Sequence, residues 1–327
     1  MESPPDSSPQ LQIHNLLRQG DLQAARNLAY HWLNSWTQSR PINPSRANLR
    51  NPALWQSLAD VIEHTHDDYL AERFWQSLDA IAPPITVNSQ SIPLLGIPTL
   101  NRVDLLQQLL NSLDYPVDTL AIVDNSVGAE NKDKLAAQLN AIQQKGHPKI
   151  GKIEIAKPFR NLGVAASWNL ILTSFPDASW TLFANNDIQF APGALASAAA
   201  SVDPSLSLFL PLLPDPQSFS AFVITAKTWD HIGLFDPSFY PAYCEDLDYR
   251  DRLRADPTVT IIENPELQSA MASLNQQHSA TIGSDPKLAA HNRCSFQLNR
   301  IWYLSQRRIR NDPRGSWIRR WLGSWDL

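Results

Sequence analysis

The sequence predicts an α/β fold, a mixed sheet flanked by helices, preceded by a small all-helical region. Three observations predict it. Apolar residues recur at three- and four-residue steps as far as residue 81, and the pattern then stops at Pro83-Pro84. From Ser91 onward, short apolar runs alternate with helical patterns, the order expected of strand–helix–strand units. Hydrophobic residues make up 43% and charged residues 18% of the 327 positions, which suits a packed core in one large domain or two smaller ones.

The helical region comes first. Residues 1–9 are Pro- and Ser-rich and read as a frayed end. Ile13, Leu16, Leu17, Ala24, Ala25, Leu28, Ala29 and Trp32 mark a helical pattern over 10–37, interrupted at Gly20-Asp21 as by a turn. After a loop at 38–52, a second pattern covers 53–81 and is interrupted at His66-Asp67-Asp68. The two align at an offset of 46 residues: Leu16 with Ile62, Asp21 with Asp67, Ala25 with Ala71, Leu28 with Phe74. Residues 1–85 therefore read as a helical cap. They resemble a pair of tetratricopeptide-like hairpins, with a plain four-helix cap as the alternative.

The rest, 90–327, reads as the second domain. Ile92–Ile97 is a strand, Asp104–Leu113 a helix, Leu120–Val123 a strand and 130–144 a helix. Lys149–Ala156 alternates as a strand, 163–174 is helical and Trp180–Ala184 is a strand. Beyond 205 the strands look mixed, at Leu206–Leu210, Ala221–Thr225 and Val259–Ile262, and a helical extension follows from about residue 284.

Composition excludes several chemistries. There are only 11 glycines against 25 prolines, and no GxGxxG, GxxxxGK[ST] or GxSxG occurs, which removes dinucleotide folds, phosphate loops and nucleophile elbows. A net charge of −5 argues against a nucleic-acid partner. Cys244 and Cys294 fit neither a zinc spacing nor a disulfide framework. The first residues carry no basic segment followed by an apolar core, so a cytoplasmic location is expected.

In open α/β sheets ligands bind beyond the carboxyl ends of the strands. Polar residues collect there: Thr99, Asn101 and Arg102 after the first strand, Asp124, Asn125 and Ser126 after the second. Lys157, Arg160 and Asn161 follow the third, and Asn185, Asn186 and Asp187 the fourth. Each alone could be a turn or cap residue. With no glycine-rich cradle, a phosphate here needs a cation, and Asp187 suits a hard divalent ion that takes its other ligands from phosphate and water. A second cluster, Glu245, Asp246 and Asp248, opens a helix. Acids favour a first turn for dipole reasons alone, but neighbouring carboxylates also raise one another's pKa, which makes a usable base.

Five pieces in order carry a resemblance: Pro-Thr-Leu-Asn-Arg at 98–102, Val-Asp-Asn-Ser at 123–126, the stretch from Asn161 to Asn169, Asn-Asn-Asp at 185–187, and 232–254 with Glu245-Asp246-Leu247-Asp248. Over roughly 92–255 they resemble a family 2 glycosyltransferase with the GT-A fold, a nucleotide-diphospho-sugar transferase-like sheet. The resemblance implies transfer of a sugar from a nucleotide-sugar donor to an acceptor hydroxyl with inversion, assisted by Mg²⁺ or Mn²⁺. It implies Asp246 as the base with Glu245 beside it. Thr99, Asn101, Asp124, Arg160, Asn161 and Asn186 fall at the donor, and Asp187 with His278 at the metal. Asn169 falls in the same pattern. The element Asn185-Asn186-Asp187 has one carboxylate where the family pattern has two.

Two rivals remain. A sugar nucleotidyltransferase needs a glycine-rich loop after the first strand, which is missing. A catalytically inactive domain that recruits a partner through the N-terminal helices is the other. The C-terminus carries Arg307, Arg308, Arg310, Arg314, Arg319 and Arg320 among Trp317, Trp321 and Trp325. That suits either peripheral contact with an anionic membrane or a helix docking its Trp face on the core.

Overall fold

The computed structural model describes residues 8–38, 52–81, 91–276 and 286–309. The chain divides into two compact units, Met1–Pro84 and Ile85–Leu327.

The first unit contains α1 (Pro9–Arg18), α2 (Leu22–Gln38), α3 (Pro52–Thr65) and α4 (Asp68–Ile81). Helix α2 packs against the other three. Its Ala25 and Ala29 are fully buried, one turn apart, and such short side chains let helices approach closely. Around them lie Ile13, Leu33, Leu58, Val61 and Leu70.

The offset of 46 residues marks equivalent caps. Asp21 Oδ1 accepts from Ala24 N at 3.0 Å, and Asp67 Oδ1 accepts from Leu70 N at 3.0 Å. Each aspartate closes the start of the second helix of its pair. Asp67 also pairs with Arg26 and accepts from the Tyr30 hydroxyl, so it joins α4 to α2.

The second unit is built on a seven-stranded sheet of order β3-β2-β1-β4-β6-β5-β7. The strands are β1 (Ile92–Thr99), β2 (Val117–Asp124), β3 (Ile150–Ala156), β4 (Trp180–Ala184), β5 (Leu208–Pro211), β6 (Ala221–Thr225) and β7 (Thr260–Ile261). It is parallel across β3-β2-β1-β4, β6 runs antiparallel to β4 and β5, and β7 is parallel to β5.

Alternate residues of β1 feed two cores. Leu95 and Ile97 pack with α5 (Val103–Asn111), α6 (Ala129–Lys145), α8 (Ala194–Ser201) and α11 (Pro265–Leu274). Leu94 packs on the other side with Trp168 of α7 (Val164–Ser174), Phe183, Phe222, and Tyr249 of α10 (Glu245–Ala255). Gly96 has no side chain for a reason: a Cβ there would lie 2.7 Å from Phe183 Cε1. The short α9 (Ala226–Ile232) follows β6, and α12 (Pro286–Ile309) closes the described chain.

Several strand bounds depart from the sequence pattern, and β2 starts at Val117 rather than Leu120. β1 runs two residues past Ile97, because Pro98 and Thr99 still pair with Val123 and Asp124. Leu206 lies outside β5 and is exposed. Pro93 is tolerated in a central strand because its nitrogen faces the β4 side, where β4 pairs only with Leu94–Gly96.

The caps of the first unit differ in what they add. Asp21→Ala removes a cap, which costs about 1 kcal/mol. Asp67→Ala removes a cap together with the tie to α2, so it is expected to lower the unfolding midpoint of that unit further. Urea denaturation followed by circular dichroism compares the two.

Candidate active site

The carboxyl ends of β1, β2 and β4 lie side by side, and polar side chains stitch them together. Thr99 sits opposite Asp124 in the ladder, and Asn125 N donates to Thr99 O at 2.9 Å. Asn101 adopts φ +58°, a left-handed conformation that Asn tolerates better than most residues. Its Oδ1 accepts from Val127 N at 2.9 Å and its N–H donates to Ser126 Oγ at 3.4 Å, which pins the β1 loop to the β2 loop. Asp124, half-buried, accepts from Ser126 N through Oδ1 at 3.0 Å, and no cation pairs with it among the described residues.

At the end of β4, Asn186 is buried and its Nδ2 donates to Thr99 Oγ1 at 3.3 Å. The half-buried Asp187 follows it. Arg102, a bidentate partner of Asp104, also feels the charge of Asp187, and the two carboxylates together raise its basicity, Asp104 more than Asp187. A permanent cation therefore stands beside the candidate metal ligand. Its signal in the sequence is its place directly after Asn101, at a strand end.

The third strand end joins a different partner. Lys157 and Arg160 are exposed, whereas Asn161 is half-buried and its Oδ1 caps Gly163 N at 2.8 Å. The Tyr240 hydroxyl donates to Asn161 O at 3.3 Å, and Val164 N donates to Pro241 O at 2.7 Å. Gly163 has φ +78°, and a Cβ on it would lie 2.6 Å from Pro241 O, so only glycine allows this approach. Two asparagines, Asn125 after β2 and Asn169 of α7, pin backbone. Asn125 accepts from Leu162 N at 2.8 Å and donates to Ser167 Oγ at 2.8 Å. Asn169 brackets Phe235, donating to its O at 2.8 Å and accepting from its N at 2.9 Å.

The segment that reaches Pro241 continues into the carboxylate cluster. Tyr243 and Cys244 both lie in the left-handed region, at φ +78° and +70°. Helix α10 then opens with Glu245. That side chain is 5% exposed, and its Oε2 has no hydrogen-bond partner among the described residues. Burial first, and the charge of Asp246 second, push its pKa well above the ordinary glutamate value. Asp246 is half-buried. Desolvation raises its pKa against the opposing pull of the Leu247 N–H and of Arg250. Burial thus favours the protonated form of Glu245, and Asp246 is the more exposed carboxylate of the two, with raised basicity. Asp248 has a separate job: it pairs with Arg252 at 2.9 Å, one turn on, and Arg252 Nη1 donates to Ile232 O at 3.0 Å. Burial pushes the Cys244 thiol up to about 12, which makes it a poor nucleophile.

The structure thus gathers Thr99, Asn101, Asp124, Asn186 and Asp187 at adjoining strand ends, and ties Asn161 to the approach to Glu245-Asp246. His278 lies outside the described residues. Among the described residues, no three His, Cys, Asp or Glu side chains converge as a metal site.

No family model matches the chain, and no curated protein matches it. Solved structures do resemble it. The chain is 15% identical to S. aureus TarS over 52% of its own length and 35% of that chain, with a TM-score of 0.37. It is 11% identical to GalNAc-T7, crystallised with UDP, GalNAc and Mn²⁺, over 53% of its length and 42% of that chain, with a TM-score of 0.42. A TarS fragment, 1–349, is 13% identical over 69% of this chain and 77% of that one, with a TM-score of 0.39. The chain thus spans less than half the length of the first two. With these three TM-scores below 0.5, no residue role passes from those structures to this chain.

The buried Glu245 has a consequence for stability. Folding raises its pKa, so between the ordinary and the raised value the folded chain binds more protons than the unfolded one. Stability then falls as pH climbs through that window. Glu245→Gln removes the loss. Its melting temperature is expected to match wild type at the acid end and exceed it increasingly toward the alkaline end. Thermal unfolding of both proteins from about pH 4 to about pH 8 tests this.

Proposed function

We propose that this protein is an inverting glycosyltransferase that moves a sugar from a nucleoside-diphosphate donor to an acceptor hydroxyl. The observation that carries the reading is the pairing at the start of α10. One carboxyl, Glu245, is sealed in, where burial favours its protonated form, and its neighbour Asp246 is half-exposed with raised basicity. This stands in a unit whose strand ends carry Asp124 and Asp187.

In this reading Asp124 accepts a hydrogen bond from the nucleobase, next to the Thr99–Asn101 loop. The diphosphate lies toward Asp187, where Arg102 offers a fixed positive charge, and Arg160 adds another from the β3 side. Asp187 fits a divalent cation as a hard oxygen donor, and one protein carboxylate suffices where phosphate and water complete the shell. When bound, the cation supplies charge neutralisation for the leaving diphosphate.

Asp246 takes the proton of the acceptor hydroxyl, whose oxygen attacks the anomeric carbon on the face opposite the diphosphate. The bond from that carbon to the phosphate oxygen breaks, and its electron pair leaves with the nucleoside diphosphate. Base catalysis of this kind contributes about 10²–10⁴-fold. Burial that favours protonated Glu245 limits the negative charge beside Asp246. Because only the carboxylate form of Asp246 works, the rate should fall on acidification through a pKa above the ordinary aspartate value.

One observation favours a second reading, an inactive domain that recruits a partner: the lone carboxylate of the Asn185-Asn186-Asp187 element. The basic Trp-rich segment beyond residue 309, read above as a membrane or core contact, lies outside the described residues. No helix among the described residues is long and apolar enough to cross a membrane.

A thermal-shift screen of UDP-, GDP- and dTDP-sugars with and without Mn²⁺, followed by a transfer assay on those that bind, separates the readings. A ligand that favours the folded state raises the melting temperature with concentration. Asp246→Asn is expected to lower turnover by about 10²–10⁴-fold while sparing donor binding. Asp187→Ala is expected to weaken nucleoside-diphosphate binding and remove its response to Mn²⁺. Binding without turnover in wild type supports the inactive domain.

A further inference from the structure

The carboxylates sit at the end of a backbone segment that its own sequence does not hold. Two successive non-glycine residues in the left-handed region cost free energy, and such conformations persist only where their surroundings over-determine them. Here the surroundings come from α12 (Pro286–Ile309), well beyond the segment in the chain.

Asn299 of α12 is 1% exposed, and its Nδ2 donates to Tyr240 O at 3.3 Å, Ala242 O at 2.8 Å and Tyr243 O at 3.1 Å. One amide thus serves three carbonyls of a segment that folds inward and would otherwise bury them. The contacts around it act in the same direction. Asn292 Nδ2 donates to the Tyr243 hydroxyl at 2.7 Å, Phe296 meets the Tyr243 ring edge-on at 5.6 Å, and Trp302 Nε1 donates to Asp236 Oδ2 at 3.3 Å. Phe239, Cys244 and Trp302 close a small apolar cluster between helix and segment. These residues recur at three- and four-residue steps along α12, so a single helix face grips the whole approach to α10.

Resting on the glycosyltransferase reading above, we propose that Asn299 is a positioning residue. It fixes the Tyr240–Cys244 segment and through it sets the place and the desolvation of Asp246, which makes α12 a working part of the active site. Asn299 has no hydrogen bond to Glu245 or Asp246; it acts through the backbone between them. Without its amide the three carbonyls lose their donor, the left-handed pair relaxes, and Asp246 shifts and gains water. A shift of about 1 Å at a reacting group costs on the order of a hundredfold in rate.

The test uses the full chain and a nucleotide-sugar that wild type turns over, with release of nucleoside diphosphate as the readout. In Asn299→Leu, of similar volume and without a donor, kcat is expected to fall about tenfold to a hundredfold while donor KM stays within about twofold. The acid limb of the kcat profile is expected to move down toward the ordinary aspartate value, a change that loss of general stability does not produce. Tyr243→Phe removes only the bond to Asn292 and serves if Asn299→Leu does not fold. Its kcat should fall a few-fold, with the acid limb moving the same way. An active wild type whose kcat and acid limb are unchanged in the folded variants overturns the inference alone, as does a donor KM that rises in step with the fall in kcat. A wild type that releases nucleoside diphosphate from no donor overturns the glycosyltransferase reading, and this inference with it.

Discussion

The second unit depends on one constraint: two carboxyl groups must be carried out of water at the start of α10, on a backbone that no glycine relaxes. Desolvation is what makes Asp246 a stronger base than a surface aspartate, and it is also what makes the arrangement costly. Glu245 bears the larger part, sealed in with one oxygen unpartnered. Its neutral form is the affordable one, because an ionised carboxylate without a partner costs far more to bury.

Neighbouring elements are arranged to hold that position. Behind it, the Phe235 and Tyr249 rings stack at 4.0 Å, and Trp168 closes on Phe235 at 4.7 Å. On one flank, Gly163 lets the start of α7 come against Pro241. On the other, α12 supplies donors to the carbonyls of the segment. The strand ends are stitched separately, by Asn101 to the β2 loop and by Asn186 to Thr99. The unit therefore offers two fixed groups of polar residues, one at the ends of β1, β2 and β4 and one at the start of α10; the proposed function assigns the first to the donor and the second to acid–base chemistry.

Much of this was legible in the sequence where it is local. The change from helical periodicity to strand–helix alternation, and the polar residues after each strand, follow from which side chains must be buried and where turns fall. Residues whose work is done at a distance were not legible. Asn169 reads as part of a donor pocket, yet it spends both ends of its amide on Phe235, 66 positions away. Three acids in a first helical turn read either as dipole complements or as a base with raised pKa, and nothing in their spacing says that Glu245 is buried while Asp248 answers Arg252. Asn299 sits in a stretch of helical polar residues, and its importance comes from carbonyls that a segment nearly sixty positions earlier leaves unpaired. Pro93 looks wrong for a central strand until the short reach of β4 is known.

The central claim is that burial splits the pair into a neutral acid and a reachable, more basic carboxylate. It is tested most directly by following the side-chain carboxyl carbons of Glu245 and Asp246 by ¹³C NMR across a pH titration, assigned with Glu245→Gln and Asp246→Asn. The account predicts that both titrate above their ordinary values, with Glu245 remaining protonated after Asp246 has ionised. Titration of Asp246 at or below the ordinary aspartate value, or ionisation of Glu245 before Asp246, would contradict it.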